Sequence, residues 1–222
     1  MYEAPEYHPA FEEYCETIFE LAEDGVDVIQ ARIAERLEVS RPAVSEMVRK
    51  LEKDGLVVLD GGSIALSADG EVLARQVVRR HRIAERFLTD VLGLSWTEAH
   101  HEAGKWEHVI SPVVESAMIR VLDDPTTCPH GNPIPGSSYE RPPELVELSS
   151  LRVGARFTVE RIPEELEFRP GLLDFLEDSA VVPGRIGVVT AMSPDGTTTV
   201  EIDGSTVGVG SFASERILVS GS

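Results

Sequence analysis

The amino-acid sequence predicts an α+β fold, with helices in the first part of the 222-residue chain and short strands in the last third. Three observations predict it. Residues 28–66 read as two short helices followed by a glycine-turned hairpin, and apolar residues at three- and four-residue steps continue to residue 121. Residues 145–219 instead alternate between apolar and polar, which is typical of strands. The sequence therefore predicts a winged helix-turn-helix, a helical region and a small β-barrel of about 75 residues.

The first helix is predicted at residues 9–24, where Phe11, Tyr14 and Ile18 recur on one face. Cys15 falls on the same apolar face, so we interpret it as a core residue rather than a metal ligand. Glu13 and Glu16 flank that face, one turn apart. They are either solvated glutamates or carboxylates that are available to a cation.

Residues 28–59 carry the signals of a helix-turn-helix. Ser40 is a predicted N-cap, Pro42 is tolerated in the first turn of the second helix, and Gly55 ends it. The hairpin at 56–66 completes a winged helix. This geometry occurs in many proteins that bind no DNA, but the second helix opens with short polar groups that could approach base edges and phosphates. The residues that we expect to face DNA are Arg32, Ser40, Arg41, Pro42, Ser45, Glu46, Arg49 and Lys50.

The net charge of −19, taken alone, argues against a nucleic-acid partner, because polyanions repel each other. Most of the 20 basic residues lie in residues 27–139, however, so a DNA-facing surface would have to be there. No apolar run reaches the roughly eighteen residues of a membrane span, and the N-terminus lacks the basic and apolar regions of a signal peptide. The 2 cysteines make no disulfide framework. We therefore expect a cytoplasmic protein with no membrane partner.

Histidine and glutamate residues are concentrated in residues 81–108. His81 and Glu85 are four residues apart on a predicted helix, so both can hold one ion. A second predicted helix, opened by a Ser-Trp-Thr-Glu capping box at 95–98, carries His100, Glu107 and His108. Nitrogen and oxygen ligands without a thiolate suit manganese, iron, cobalt, nickel or zinc better than a soft metal. The alternative is that these are solvated polar residues and a core histidine.

The segment 124–136 is dense in proline and glycine and is a predicted domain boundary or rigid strap. Cys128 and His130 within it are either further ligands or turn residues. Glu164 and Glu167 lie on a predicted loop that leads to a short helix near residues 172–177. Helices 68–121 have more apolar residues than a winged helix needs, which favours a helical dimer interface. These residues include Val77, Phe87, Leu88, Ile110, Val114 and Met118.

Together these segments resemble the diphtheria-toxin-repressor and iron-dependent-regulator family, which includes manganese-responsive regulators. The resemblance rests on ARIAERL at 31–37, HRIAER at 81–86, WEH at 106–108 and GNPIPG at 131–136, and it extends over essentially the whole chain. It implies a winged helix at 1–73, a helical metal-binding and dimerisation domain at 74–140 and an SH3-like barrel at 145–222. It also implies a metal-dependent transcriptional regulator, a repressor of metal-homeostasis genes, and not an enzyme.

The same resemblance implies two metal sites. The primary site would take Glu107 and His108 together with Glu13 from the first helix, with Glu16 as a further candidate. The ancillary site would lie on the long helix and would be completed by the barrel. Its implied ligands are His81, Glu85, His100, Glu164 and Glu167, with Cys128 and His130 nearby as in some manganese-type members.

Two positions depart from the iron-type pattern. Members of that type have a methionine where this chain has Glu13 and a cysteine where it has Gly104, whereas manganese-type members have an acid at the first position and often a glutamate at the second. Gly104 has no side chain, so the primary site would use its backbone carbonyl, water or Glu16. The remaining oxygen and imidazole ligands favour Mn(II) over Fe(II) by hardness, and we expect Co, Ni and Zn to substitute in vitro.

These expectations define a mechanism. The acidic residues of the primary site would repel one another without a cation, so the first helix should be loose until an ion ties it to the helical region. The recognition helices of a homodimer would then suit operator half-sites about 34 Å apart on double-stranded DNA. The rival classes are a metallohydrolase, for which no nucleophile or general-base motif is present, and an adaptor without DNA binding, which leaves the winged helix unexplained.

Overall fold

A computed structural model describes residues 9–221 of the chain. Residues 1–8, which begin the predicted first domain and include the N-terminus examined for a signal peptide, and residue 222 lie outside the described part. The helices are α1 Pro9–Glu23, α2 Gln30–Arg36, α3 Arg41–Lys53, α4 Ala68–Asp90, α5 Trp96–Trp106, α6 Pro112–Val121, α7 Glu164–Glu167, α8 Leu172–Asp178 and α9 Ser211–Ser214. The strands are β1 Val57–Asp60, β2 Ser63–Leu66, β3 Val146–Glu147, β4 Arg156–Arg161, β5 Ile186–Met192, β6 Thr198–Ile202, β7 Ser205–Val209 and β8 Leu218–Gly221.

The predicted winged helix-turn-helix is confirmed. The Ser40 hydroxyl accepts a hydrogen bond from the Ala43 backbone N–H at 3.3 Å, so α3 begins where the N-cap residue predicts. Strands β1 and β2 form an antiparallel wing. Helix α4 then starts against this wing so closely that a Cβ at Gly70 would lie 1.9 Å from the Leu56 carbonyl oxygen. The long helix is therefore packed directly on the winged helix.

Helices α4, α5 and α6 form the helical region. The Ser95 and Glu98 capping box is present at the start of α5. One expectation is corrected: α5 ends at Trp106, so Glu107 is its C-cap and His108 lies beyond it, whereas both were predicted on the helix. Glu107 and His108 thus lie at and beyond the C-terminus of α5, where their side chains can face α1.

The C-terminal region is a six-stranded antiparallel sheet in the order β3-β8-β4-β5-β6-β7 with an SH3-like fold, as expected. Its core holds Phe157, Val189 and Val219 among other fully buried residues. Strands β3 and β7 were not predicted, because β3 has only 2 residues and β7 carries glycine and serine. Glu164–Glu167 was expected to be a loop and is the short helix α7.

Buried ion pairs join the three parts. Arg82 of α4 is fully buried, and its guanidinium donates to Glu23 at the end of α1 at 2.7 Å and to Glu164 of α7 at 3.0 Å. Arg161 of β4 donates to Glu23 at 2.9 Å and to Asp24 at 2.7 Å. The end of α1 is thus tied both to the helical region and to the sheet.

The strap at 124–136 packs on the sheet. The Ile162 N–H donates to the His130 carbonyl at 2.8 Å, and Asn132 donates to the Ile162 carbonyl at 3.0 Å. Gly131 has φ of +86°, and a Cβ there would lie 2.1 Å from the Glu160 carbonyl oxygen, so only glycine allows this approach. The packing buries Cys128 and His130 beside the end of β4.

The apolar residues expected at a dimer interface are only partly exposed. Val77, Leu88, Ile110 and Met118 are buried within the chain, because α4, α5 and α6 cover one another. The exposed apolar side chains of this region include Val72, Val91, Leu92, Val109, Val113, Val114 and Val121, with Val113 80% exposed. Among the described residues, no helix is long and apolar enough to cross a membrane.

Candidate metal centre

An acidic face of α1 lies against His81 of α4 and against His108, which follows α5. Glu12, Glu16 and Glu20 recur every four residues and are each only 5%, 7% and 5% exposed. Three carboxylates on one buried face of a helix are costly unless positive charge compensates them. Glu12 and Glu20 were not among the predicted site residues, although their four-residue spacing with Glu16 was a readable signal.

The predicted primary-site residues form the first cluster. The Nε2 atom of His108 lies 3.2 Å from Glu107 and 3.5 Å from Glu13. The Nδ1 atom of His108 lies 2.6 Å from Glu12. A carboxylate on one ring nitrogen orients a histidine whose other nitrogen faces a metal site, so Glu12 is placed to fix the His108 ring.

Glu16 belongs to this cluster through Glu107, but it faces His81 rather than His108. The Nδ1 atom of His81 lies 2.5 Å from Glu107 and 4.0 Å from Glu16. The Nε2 atom of the same ring lies 3.1 Å from Glu85. His81 therefore stands between the predicted primary and ancillary residues and contacts both.

The second cluster contains the predicted ancillary residues. The Nδ1 atom of His100 lies 3.0 Å from Glu85 and 3.0 Å from Glu167. The Nδ1 atom of His130 lies 3.0 Å from Glu167 and 3.7 Å from Glu85. The ligand atoms of Cys128, Glu85 and His130 are within 4.8 Å of one another. The strap and α7 thus bring sulfur, nitrogen and oxygen to the same point as α4 and α5.

The two carboxylate oxygens of Glu164 have different surroundings. Its Oε1 atom accepts from Arg82 at 3.0 Å, while its Oε2 atom is buried without a hydrogen-bond partner among the described residues. One of its oxygens lies within 4.8 Å of His100 and Glu167 ligand atoms. Arg82 therefore holds this carboxylate in place and leaves one oxygen directed to the cluster.

The protonation states reflect the pairing of acids with histidines. Burial disfavours a charged His100, but Glu167 and Glu85 outweigh it and raise its pKa to about 10. Hydrogen bonds from His108 to Glu12 and Glu13 raise the His108 pKa to about 10. Burial, followed by the charge of Glu107, raises the pKa of Glu16 well above its usual value. The clusters therefore hold protons where a divalent ion would supply the positive charge.

The donor set fits a metal ion. Short distances within the second cluster do not all have hydrogen-bond geometry: the Oε2 atoms of Glu85 and Glu167 and both ring nitrogens of His130 have no hydrogen-bond partner among the described residues. Buried polar atoms without partners are unusual in proteins, and an ion between them would satisfy these four atoms. A cavity of about 190 Å³ adjoins both clusters. Gly104 lines it, and the space in front of its missing side chain is open.

The predicted DNA-facing residues lie on the outer side of the winged helix. Arg41, Arg49 and Lys50 are exposed, while Val44 and Val48 are buried beneath them. Arg32, Pro42 and Glu46 are also exposed, and Ser45 is half-buried. Two groups are partly engaged: the Ser40 hydroxyl caps α3, and Lys50 pairs with Glu46 at 2.8 Å.

Comparison with known proteins identifies the family. A family model described as iron-dependent repressor, N-terminal DNA-binding domain, matches residues 7–62, and one described as iron-dependent repressor, metal-binding and dimerisation domain, matches residues 67–136. The chain is 42% identical over 205 residues to the iron-dependent repressor IdeR of Mycobacterium leprae, covering 87% of this chain and 88% of that protein. It is 51% identical over 126 residues to the diphtheria toxin repressor of Corynebacterium diphtheriae, covering 56% of each.

Solved structures agree with this assignment. A manganese-dependent transcriptional repressor in complex with manganese superimposes with a TM-score of 0.84 at 33% identity, covering 96% of this chain and 100% of that chain. The matched proteins are repressors and not enzymes, which removes the metallohydrolase alternative. The chain belongs to the iron-dependent repressor family and is a metal-dependent transcriptional repressor.

Proposed function

We propose that this repressor is activated by Mn(II), binds operator DNA as a homodimer and controls genes of metal-ion homeostasis in the cytoplasm. The observation that carries the proposal is the buried acidic face of α1 opposite His81 and His108. Helix α1 packs on the winged helix, so a cation held between α1 and the helical region would fix the DNA-binding unit relative to the dimer.

The primary site would be held by Glu13, Glu107 and His108, with Glu16 and the carbonyl of Gly104 as further donors. The ligand atoms of Glu13, Glu107 and His108 lie within 4.8 Å of one another, which supports this set, and Glu16 lies within the same distance of Glu107. The ion supplies the positive charge that these carboxylates need at neutral pH. Glu12 would orient His108 without touching the ion.

The ancillary site would be held by ligands from four segments of the chain. The unpaired buried atoms of Glu85, His130, Glu164 and Glu167 support it. One thiol makes this site softer than the primary site, so the two need not prefer the same ion. The proposed ligands are His81, Glu85, His100, Cys128, His130, Glu164 and Glu167.

Manganese is proposed on the chemistry of the primary site. Its donors are carboxylate, carbonyl and imidazole, with no sulfur, and such hard donors suit Mn(II). The relative in complex with manganese supports this, whereas the names of the mycobacterial relatives favour Fe(II), which remains the second candidate. Co, Ni and Zn should substitute in vitro because they bind the same ligand types more tightly.

The homodimer would form through the exposed valines of the helical region. Val109, Val113 and Val121 are 77%, 80% and 62% exposed, and all three lie in α6 or just before it. Large exposed apolar patches mark interaction sites. The proposed domain limits are 1–73, 74–140 and 145–222. Helix α4 crosses the first limit unbroken, and the core of the winged helix continues past that limit to Val77.

The test is operator binding with and without metal. A gel shift on the protein's own promoter region should show tight binding in Mn(II) and weak binding in chelator, and a titration with anaerobic Fe(II) ranks the two ions. Equal affinity in chelator and in excess Mn(II) would refute metal activation. Activation at lower Fe(II) than Mn(II) concentration would refute the manganese assignment and leave metal dependence intact.

A further inference from the structure

Arg36 connects the helix-turn-helix to the C-terminal domain. It is the last residue of α2, and its Nη1 atom donates to the Glu164 carbonyl oxygen at 3.1 Å. Its guanidinium carbon lies 3.9 Å from the centre of the Phe168 ring. A helix of the DNA-binding unit is thus held by both a hydrogen bond and a stacked aromatic ring of another domain.

The segment that Arg36 contacts is also the one that brings C-terminal carboxylates to the metal centre. Phe168 directly follows α7, which carries Glu164 and Glu167. The Phe168 ring meets the His100 ring edge-on, with centroids 5.4 Å apart and planes at 90°. Arg36 therefore touches a backbone and a ring whose positions depend on proposed ancillary ligands.

Arg36 is also directed at the cavity beside those ligands. It lines the cavity together with Glu16, Glu20 and His81, and its Nη2 atom is buried without a hydrogen-bond partner among the described residues. The guanidinium is thus held by its stack on Phe168 and by one hydrogen bond to α7. Its orientation follows Phe168 and α7.

We infer that Arg36 is a positioning residue that transmits the position of α7 to the helix-turn-helix. When Glu167 and His100 are held by an ion, Phe168 and the Glu164 carbonyl are fixed, and Arg36 fixes α2. Without the ion, α7 loses the ligand bonds that would hold it to α4 and α5, and this contact loosens. Helix α2 packs on α3, so the orientation of the recognition helix follows.

The inference rests on the proposed function, but its physical core is a distance that can be measured without DNA. Donor and acceptor fluorophores on cysteines at the exposed positions Glu52 of α3 and Asp195 of the C-terminal domain report the distance between the two units in the full-length protein by time-resolved energy transfer. Labelled protein is diluted with unlabelled protein so that each dimer carries one label pair. The distance distribution should narrow when Mn(II) is added to the wild type.

The variants separate positioning from other roles. Arg36→Lys keeps the charge but loses the planar stack, and Phe168→Leu removes the ring. Both should lose the Mn(II)-dependent narrowing and bind operator about tenfold more weakly in saturating Mn(II), within the usual range of coupling between sites. The Mn(II) affinity of Arg36→Lys should stay within about twofold of wild type, because Arg36 contacts no side chain of a proposed ligand. Phe168→Tyr, which keeps the aromatic face, and the exposed-surface control Arg185→Lys should behave as wild type.

Three results would overturn the inference. If the distance distribution of Arg36→Lys narrows on Mn(II) addition as much as that of the wild type, the contact does not transmit the position of α7 to α2. Weak operator binding in Arg36→Lys alone, with Phe168→Leu normal, would make Arg36 a DNA contact. If the distance distribution of the variants is broader than that of the wild type by the same amount with and without Mn(II), the contact is merely structural. If the distance distribution of the wild type narrows on Mn(II) addition but the protein does not bind operator, the proposed function is wrong instead.

Discussion

Replacing Arg82 by methionine tests the buried ion pairs that join the three parts of the chain. Methionine has a similar length but no charge, so Glu164, which is fully buried, loses its partner, and Glu23, which is 20% exposed, keeps only Arg161. Removal of one partner from a buried pair costs about 3–5 kcal/mol. The remaining Arg161 contact at Glu23 favours the lower part of this range.

A change of that size is readily measured. In a domain of this size, 1 kcal/mol shifts the melting temperature by roughly 2–4 °C, so Arg82→Met in chelator should melt about 6–15 °C below wild type. The double variant Arg82→Met with Glu164→Gln removes the unpaired charge as well and should recover about half of the loss. Arg185→Lys is the matched surface control. A melting temperature for Arg82→Met within 2 °C of wild type would refute the reasoning.

Three further predictions concern DNA, metal and pH. Arg49→Ala should weaken binding to all DNA sequences alike and reduce the salt slope by about one, as expected for a phosphate contact, and an unchanged slope counts against its placement on DNA. Glu13→Met should weaken the Mn(II) response of operator binding and favour Fe(II), Co(II) or Ni(II), whereas His81→Ala should weaken the response to all ions. An unchanged Mn(II) titration curve for Glu13→Met would show that Glu13 is not a ligand. The His108 pKa, raised to about 10, gives the metal-free fold stability that is fully present below pH 6.5 and is lost as pH rises toward 10. The Glu20 pKa, raised to about 7 by burial, gives stability that is lost between about pH 4.5 and 7. Both signs agree, so the melting temperature in chelator should fall from pH 5 to pH 9 and its increase on Mn(II) addition should be greater at pH 8.5 than at pH 6.

The starts of four helices could be predicted closely because a local N-cap residue defines each of them. Ser40, Ser67, Ser95 and Ser111 each cap the helix that follows them. The C-terminal strands β3 and β7 lacked such signals, because short strands depend on pairing with distant residues rather than on their own composition.

The site was predicted by residue type but not in its contacts. Helical spacing brings His81 and Glu85 together, but nothing local says that Glu16 faces His81 while Glu13 faces His108. The role of Glu164 in holding Arg82, 82 residues away, depends on the tertiary fold. Arg36 reads as one of several surface arginines until its distance to Phe168 is known. Local pattern identifies candidate ligands, and long-range packing determines which of them share an ion.

The position of His81 has a consequence for the shape of the metal response. One ring contacts Glu107 through one nitrogen and Glu85 through the other, so the two clusters share a single rotational degree of freedom. A turn of the ring that suits one cluster sets the geometry of the other, and the free energy of ordering the ring is needed only once. Metal binding to the two sites should then be cooperative, and repression should rise steeply over a narrow range of metal concentration.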